Sequence, residues 1–191
     1  MEAAVARLTL PVSRNRDHIQ GSDTAPATLL EYGDYECPFC GQAHVIIKQL
    51  QEALGGNLQF VFRNFPLTQV HPHAQSAAEA AESAGAQNKF WEMHDYLYEN
   101  QQALEDGDLM HYASILRLDL KGFVNDVTNH VHAPRIREDF LSGIKSGVNG
   151  TPAFYINGIR HNNSWDFETL FRTITNVIEE VVDKQKTPPR L

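Results

Sequence analysis

Hydrophobic positions along the chain change their spacing three times, and each change marks a different kind of element. Ala27 to Tyr32 is nearly continuous in apolar residues, which predicts a strand buried on both faces, with Glu31 as its one interruption. From Phe39 through Ala43, Ile46, Ile47, Leu50 and Leu54 the spacing becomes helical, and Gly55-Gly56 supplies a stop. Leu58 to Asn64 then alternates around Phe60 and Phe62 and ends at Phe65-Pro66. The three segments predict a β-α-β unit whose strands run parallel through a right-handed crossover.

Beyond Pro66 only helical spacing appears. Pro72 opens one predicted helix that runs to Ala84, with Gly85 at its end; Phe90, Met93, His94 and Leu97 form the stripe of the next. Leu109, Tyr112, Ala113 and Leu116 follow Asp108, and Leu120, Phe123, Val124 and Val127 follow Asp119, each Asp placed as an N-cap. Pro134 opens a last helix through Ile136, Phe140 and Ile144 to Gly147. The strand signal returns at Ala153 to Ile156, turns at Asn157-Gly158 and pairs back over Ile159 to His161. Asp166 caps a final helix along Phe167, Leu170, Phe171, Ile174, Ile178 and Val181, and Thr187-Pro188-Pro189 reads as a frayed tail. Before Ala27 only Leu8-Thr9-Leu10 looks strand-like, and Met1 to Pro26 is expected to be a surface arm. This grammar divides the chain into a discontinuous α/β domain, 1–66 with 148–191, and an all-helical insertion, 67–147. The aromatic group Phe90, Trp91, Tyr96 and Tyr98 reads as packing rather than as a cofactor box.

Charge narrows the partners. Sixteen Lys and Arg against 24 Asp and Glu give a formal charge of -8, with no basic run to follow a phosphate backbone, so nucleic acid is excluded as a partner. No apolar stretch is long enough to span a membrane, and Met1 to Val12 lacks the pattern of an export signal. The chain as written therefore reads as cytoplasmic; one cut free of a removed signal would read the same and would work in the periplasm or at the cell surface.

The two cysteines, Cys37 and Cys40, stand at the strand-to-helix junction in the order Cys37-Pro38-Phe39-Cys40. A chain of 191 residues buries enough core to do without a disulfide staple, so a working dithiol is the expected use. Unpaired N–H groups and about half a positive charge at a helix start stabilise a thiolate at Cys37. Pro38 fits the first helical position, where its missing N–H costs nothing. Cys40, one turn further in, is shielded, which makes Cys37 the exposed, attacking thiol and Cys40 the resolving one. Glu31 has two readings: a solvated carboxylate on an edge strand, or a half-buried acid beneath the cysteines.

Leu30-Glu31-Tyr32 before the C-x-x-C, Arg63-Asn64-Phe65-Pro66-Leu67 with His71-Pro72-His73-Ala74, and Gly147-Val148-Asn149-Gly150-Thr151-Pro152 together resemble the DsbA-like branch of the thioredoxin superfamily over about Asp17 to Val182. The likeness is closest to bacterial thioredoxin-like domains, some of them attached to sodium/proton antiporters. It implies a thioredoxin fold with an inserted helical domain and a protein-disulfide oxidoreductase that exchanges the Cys37/Cys40 disulfide with protein or small-thiol substrates. It further implies a cis-proline at Pro152 facing the cysteines, the Thr151 backbone pairing with an extended peptide, Pro38 and Phe39 flanking the substrate, and Glu31 relaying a proton to Cys40. No cofactor or metal is implied; the partners are thiol- or disulfide-bearing peptides and a redox protein or glutathione.

Two departures matter. Phe39 cannot supply the cationic or hydrogen-bonding help that a histidine would give between the cysteines, so Cys37 is expected to be less acidic than in the strongest oxidants. The family's oxidases act outside the cytosol, which leaves the direction of electron flow open. Two other functions fit the same residues: a zinc site of Cys37, Cys40 and His44 joined by His71 and His73, or a redox-sensing regulatory domain without turnover. His18, His94, His111, His130, His132 and His161 are assigned to packing or solvent.

Overall fold

The computed structural model describes residues 6–186. The first strand, β1 (His18–Gln20), was not foreseen: three residues of mixed polarity, 18 to 20, pair antiparallel with Phe62, Val61 and Phe60. The expected Leu8–Leu10 strand is reduced to a single bridge at Arg7 with Ile159, from which Leu8 and Val12 reach one of the two cores. The predicted β-α-β unit is present as β2 (Ala27–Gly33), α1 (Pro38–Leu54) and β3 (Leu58–Asn64), with β2 and β3 parallel and in register from Ala27–Leu58 to Gly33–Asn64.

Between β3 and the next strand every element is helical: α2 (Ala74–Ala86), α3 (Phe90–Glu99), α4 (Asp106–Ile115), α5 (Leu120–Thr128) and α6 (Ala133–Ser146). Asp119 caps α5 as expected, accepting from the N–H groups of Lys121 and Gly122. Asp108 does not cap α4. Glu105 does, and Asp108 returns the bond from the third helical position in a capping box. Gly85 lies inside α2 rather than at its end.

The hairpin follows as β4 (Ala153–Ile156) and β5 (Ile159–His161), turning through Asn157 and Gly158 with φ of 46° and 78°, the left-handed pair that a two-residue hairpin requires. Asp166 caps α7 (Phe167–Lys186) through the Thr169 N–H. The Thr187-Pro188-Pro189 tail lies outside the described residues.

The sheet runs in the order β1-β3-β2-β4-β5, so β2, which leads into the cysteines, is central and β4, which follows Thr151 and Pro152, lies directly beside it. Alternation along the strands sends Leu29, Phe60 and Phe62 into a core shared with α1, α2, α3 and α7. Leu30, Tyr32, Val61 and Tyr155 enter a second core under Phe140 of α6 and the N-terminal arm. This is the expected α/β class and thioredoxin architecture with its helical insertion.

Candidate active site

The loop between β2 and α1 is built by one acid. Asp34 accepts from the N–H groups of Glu36 and Leu67 at 2.9 and 2.8 Å and from His71 Nδ1 at 2.8 Å, while its carbonyl accepts the Cys37 N–H at 3.1 Å. Short polar side chains close turns on their own backbone in this way. Gln101 ties down the far side, donating to the carbonyls of Tyr35 and Cys37 at 2.8 and 2.9 Å. Gly41 makes room for it: a Cβ there would stand 2.1 Å from Gln101 Oε1.

Cys37 is the N-cap of α1 and Pro38 opens the helix, as expected, and both thiols are free in the described form. Cys40 is fully buried. Cys37, expected to be exposed, is only 4% exposed, because the Thr151–Pro152 segment closes over it; Phe39 stands out beside it at 57%. Thr151 O lies 3.4 Å from Cys37 Sγ, and the Thr151–Pro152 peptide is cis, the geometry that the resemblance implied.

The two sulfurs differ sharply in acidity. The Cys40 thiol donates to Cys37 and, against the cost of burial, is the largest cause that lowers Cys37 to about 5, helped by the N–H groups of Cys40 and Phe39. The Thr151 hydroxyl is buried and has no hydrogen-bond partner among the described residues. Cys37 is thus acidic without a histidine between the cysteines, and about 5 stays above the roughly 3.5 of the strongest oxidants, in line with the expectation drawn from Phe39. Cys40 moves the opposite way: burial, its bond to Cys37 and the charge of Glu31 push its thiol well above the ordinary value.

Glu31 is 1% exposed on the central strand, which rules out the edge-strand reading and puts it deeper than half-buried. Burial and the nearby Cys37 charge raise it to about 8, opposed by a hydrogen bond with Cys40. Its Oε1 has no partner among the described residues, and neither has the Tyr98 hydroxyl. Both oxygens converge on Gly33, where an added Cβ would meet them at 3.0 and 2.7 Å.

The zinc reading finds no support in this arrangement. His71 is held by Asp34, and His73 Nδ1 by Glu36 at 3.0 Å. The described residues gather three metal-ligating side chains only at His44, His94 and Asp95, a group that includes neither cysteine. Phe90, Trp91 and Tyr98 pack as expected, around His94, and Tyr96 stacks on Tyr112. The sequence reading missed Asp34 and Gln101 and offered His71 only within a motif and as a zinc ligand; an Asp at the strand end before the C-x-x-C was the available signal for the first, whereas the other two arrive from distant segments.

The solved structure of BdbD from Bacillus subtilis superposes with a TM-score of 0.80 at 23% identity, covering 94% of this chain and 100% of that one. α-DsbA1 of Wolbachia pipientis gives 0.78 at 19%, covering 93% and 98%. At these identities the likeness is one of fold. In sequence, the Na(+)/H(+) antiporter NhaA 1 of Salinispora arenicola (strain CNS-205) is 47% identical over 169 residues, covering 88% of this chain and 26% of that protein. The antiporter NhaA of Herminiimonas arsenicoxydans is 37% identical over 169 residues, with 26% of its length covered. The chain thus spans about a quarter of the curated relatives it matches, and among its described residues no helix is long and apolar enough to cross a membrane. A family model described as Thioredoxin matches residues 13–176, the stretch that carries both cysteines, Glu31 and the Thr151–Pro152 turn, and the chain belongs to that family.

Proposed function

We propose that the chain is a thiol-disulfide oxidoreductase of protein or peptide substrates, with Cys37 as the nucleophile. The observation that carries this is the opposed acidity of two adjacent thiols, one lowered to about 5 and one raised, beside a buried acid. Cys37 thiolate attacks a substrate disulfide, forming a Cys37–substrate bond and releasing one substrate thiolate. Cys40 then passes its proton to Glu31 and attacks Cys37 Sγ, which forms the Cys37–Cys40 disulfide and releases the second thiolate; the substrate gains two electrons and the protein loses two. The electrostatics time the second step. Once Cys37 is in a mixed disulfide its negative charge is gone, and with it one cause of the raised Glu31 pKa, so more of Glu31 is ionised and free to take a proton when Cys40 must give one up. Run backwards, protonated Glu31 supplies the proton to the departing Cys40, and the protein oxidises a dithiol. Substrate would lie along Thr151, flanked by Pro38 and Phe39. The antiporter names belong to the longer relatives; a role beside a transporter is a proposal about a whole of which this chain would be one part.

Disulfide transfer from the oxidised protein to a reduced dithiol peptide tests the reading. One disulfide should pass per chain, Cys37→Ser should abolish transfer, and Cys40→Ser in mixed-disulfide form should hold the peptide. A Cys40→Ser variant that never retains the peptide, or a Cys37→Ser variant that still transfers, removes the assignment.

A further inference from the structure

One turn beyond Cys40 on α1, His44 faces His94 and Asp95 of α3, and one ligand atom from each of the three lies within 4.8 Å of the others. Three details set this group apart from ordinary packing. Asp95 Oδ1 is buried and has no hydrogen-bond partner among the described residues; His44 Nε2 stands 3.8 Å away, too far for a bond. Both imidazoles are buried, His44 on α1 and His94 on α3, so their ring nitrogens meet between the two helices rather than in solvent. The His94 Nδ1 position is fixed by the Tyr35 hydroxyl at 3.0 Å, the kind of outer contact that orients a metal-ligating histidine.

We propose that His44, His94 and Asp95 form a binding site for one divalent transition-metal ion of the zinc class, joining α1 to α3. Two imidazole nitrogens and one carboxylate suit zinc, whereas calcium and magnesium take oxygen ligands. Bonds of about 2.0–2.1 Å in tetrahedral geometry set ligand atoms roughly 3.3 Å apart, so the three must close by up to about 1.5 Å. Asp95 has that freedom: it is partly exposed, and its other oxygen is held by the partly exposed Lys48 ammonium at 2.7 Å. Lys48 already neutralises this carboxylate through Oδ2, so its ammonium opposes a second cation at Oδ1 by charge repulsion. The ion would fasten the helix that carries both cysteines to its neighbour without touching either sulfur.

The test uses the oxidised protein, whose disulfide removes the thiols as ligands and separates this site from the redox reading. Chelator-stripped protein is titrated with Zn2+ by calorimetry, and Tm is followed with Zn2+ and with Mg2+. One Zn2+ should bind per chain and raise Tm, and Mg2+ should do neither. Asp95→Asn and His44→Gln should each weaken binding at least tenfold, and Lys48→Ala, at a partly exposed position that leaves the fold intact, should tighten it. Failure to bind one equivalent, binding unchanged by Asp95→Asn, or weaker binding in Lys48→Ala would overturn the site.

Discussion

On one face of the β2–β3 pair, Arg63 is fully buried with its guanidinium bonded throughout: Nε and Nη2 to Asp17 at 2.9 and 3.0 Å, Nη1 to Tyr32 Oη and Leu10 O, and Nη2 also to Pro11 O. On the other face Glu31, equally deep, leaves one oxygen without a partner among the described residues, next to a Tyr98 hydroxyl in the same condition. Both charged groups sit on the same strand pair, within two registers of each other. The first arrangement leaves the cation nothing to gain by changing state. The second keeps a proton loosely held beside two sulfurs. A buried polar group that is fully paired fixes a structure, and one that is left short of partners can respond to chemistry next to it.

The largest expected effect breaks the paired face. Arg63→Met takes two of the four hydrogen bonds from the wholly buried Asp17 carboxylate, leaving it Arg16 and the Ser13 N–H, and should cost about 3 kcal/mol in urea unfolding, while the acidity of Cys37 stays as it was. Combining it with Asp17→Leu should recover most of the loss. A change in Cys37 titration in either variant would show that the two faces are coupled.

Glu31→Gln addresses the other face. Resolution of the mixed disulfide should slow at least about 100-fold, the usual worth of a positioned proton acceptor, with no loss of stability at pH 8. Stopped-flow decay of the mixed disulfide reads this directly. Resolution at the wild-type rate would leave Glu31 a merely tolerated buried acid.

The smallest effect, per pH unit, sharpens the contrast by linkage. Cys37, lowered from 9.0 to about 5, contributes stability that is complete above pH 9 and is lost as pH falls through 5. Glu31, raised from 4.5 to about 8, acts with the opposite sign: the folded state holds a proton that the unfolded chain has released, so stability declines from pH 4.5 to 8. In the reduced protein these slopes cancel above about pH 5, whereas the oxidised protein, without the Cys37 charge that helps raise Glu31, keeps the second slope alone over a window from about pH 5 to a Glu31 pKa below that of the reduced form. Urea melts should therefore show the reduced form gaining on the oxidised form by about 1.4 kcal/mol per pH unit across that window. A gap that ignores pH would make Cys37 an ordinary thiol.

What the sequence disclosed follows from how far each signal reaches. Ala27–Tyr32, the C-x-x-C junction and Asn157-Gly158 depend on neighbours a few residues away, and all stand where local patterning put them. β1 did not announce itself, because His18, Ile19 and Gln20 become a strand only by lying along Phe60 to Phe62. The depth of Glu31 turned on β4 flanking β2, which no local pattern records. Arg63 entered the sequence reading only as part of a motif, and only the fold brings Asp17 and two carbonyls of the arm around it. The same limit hid Gln101 from the site and the Asp34 partner of His71. Glu105 lost its capping role to Asp108 in the sequence reading because both acids suit the position and only the backbone chooses between them.

Cys37 and Thr151 stand 114 residues apart in the chain yet 3.4 Å apart in space. During synthesis both cysteines and Glu31 therefore emerge well before the segment that covers them, and β2 waits for the β4 strand that closes its second edge. Until then Cys37 has its own helix start and Cys40 beside it, and lacks the Thr151 carbonyl against its sulfur. A growing chain therefore holds the pair of thiols, with their local source of acidity, before the neighbour that the last strands of the sheet bring to them.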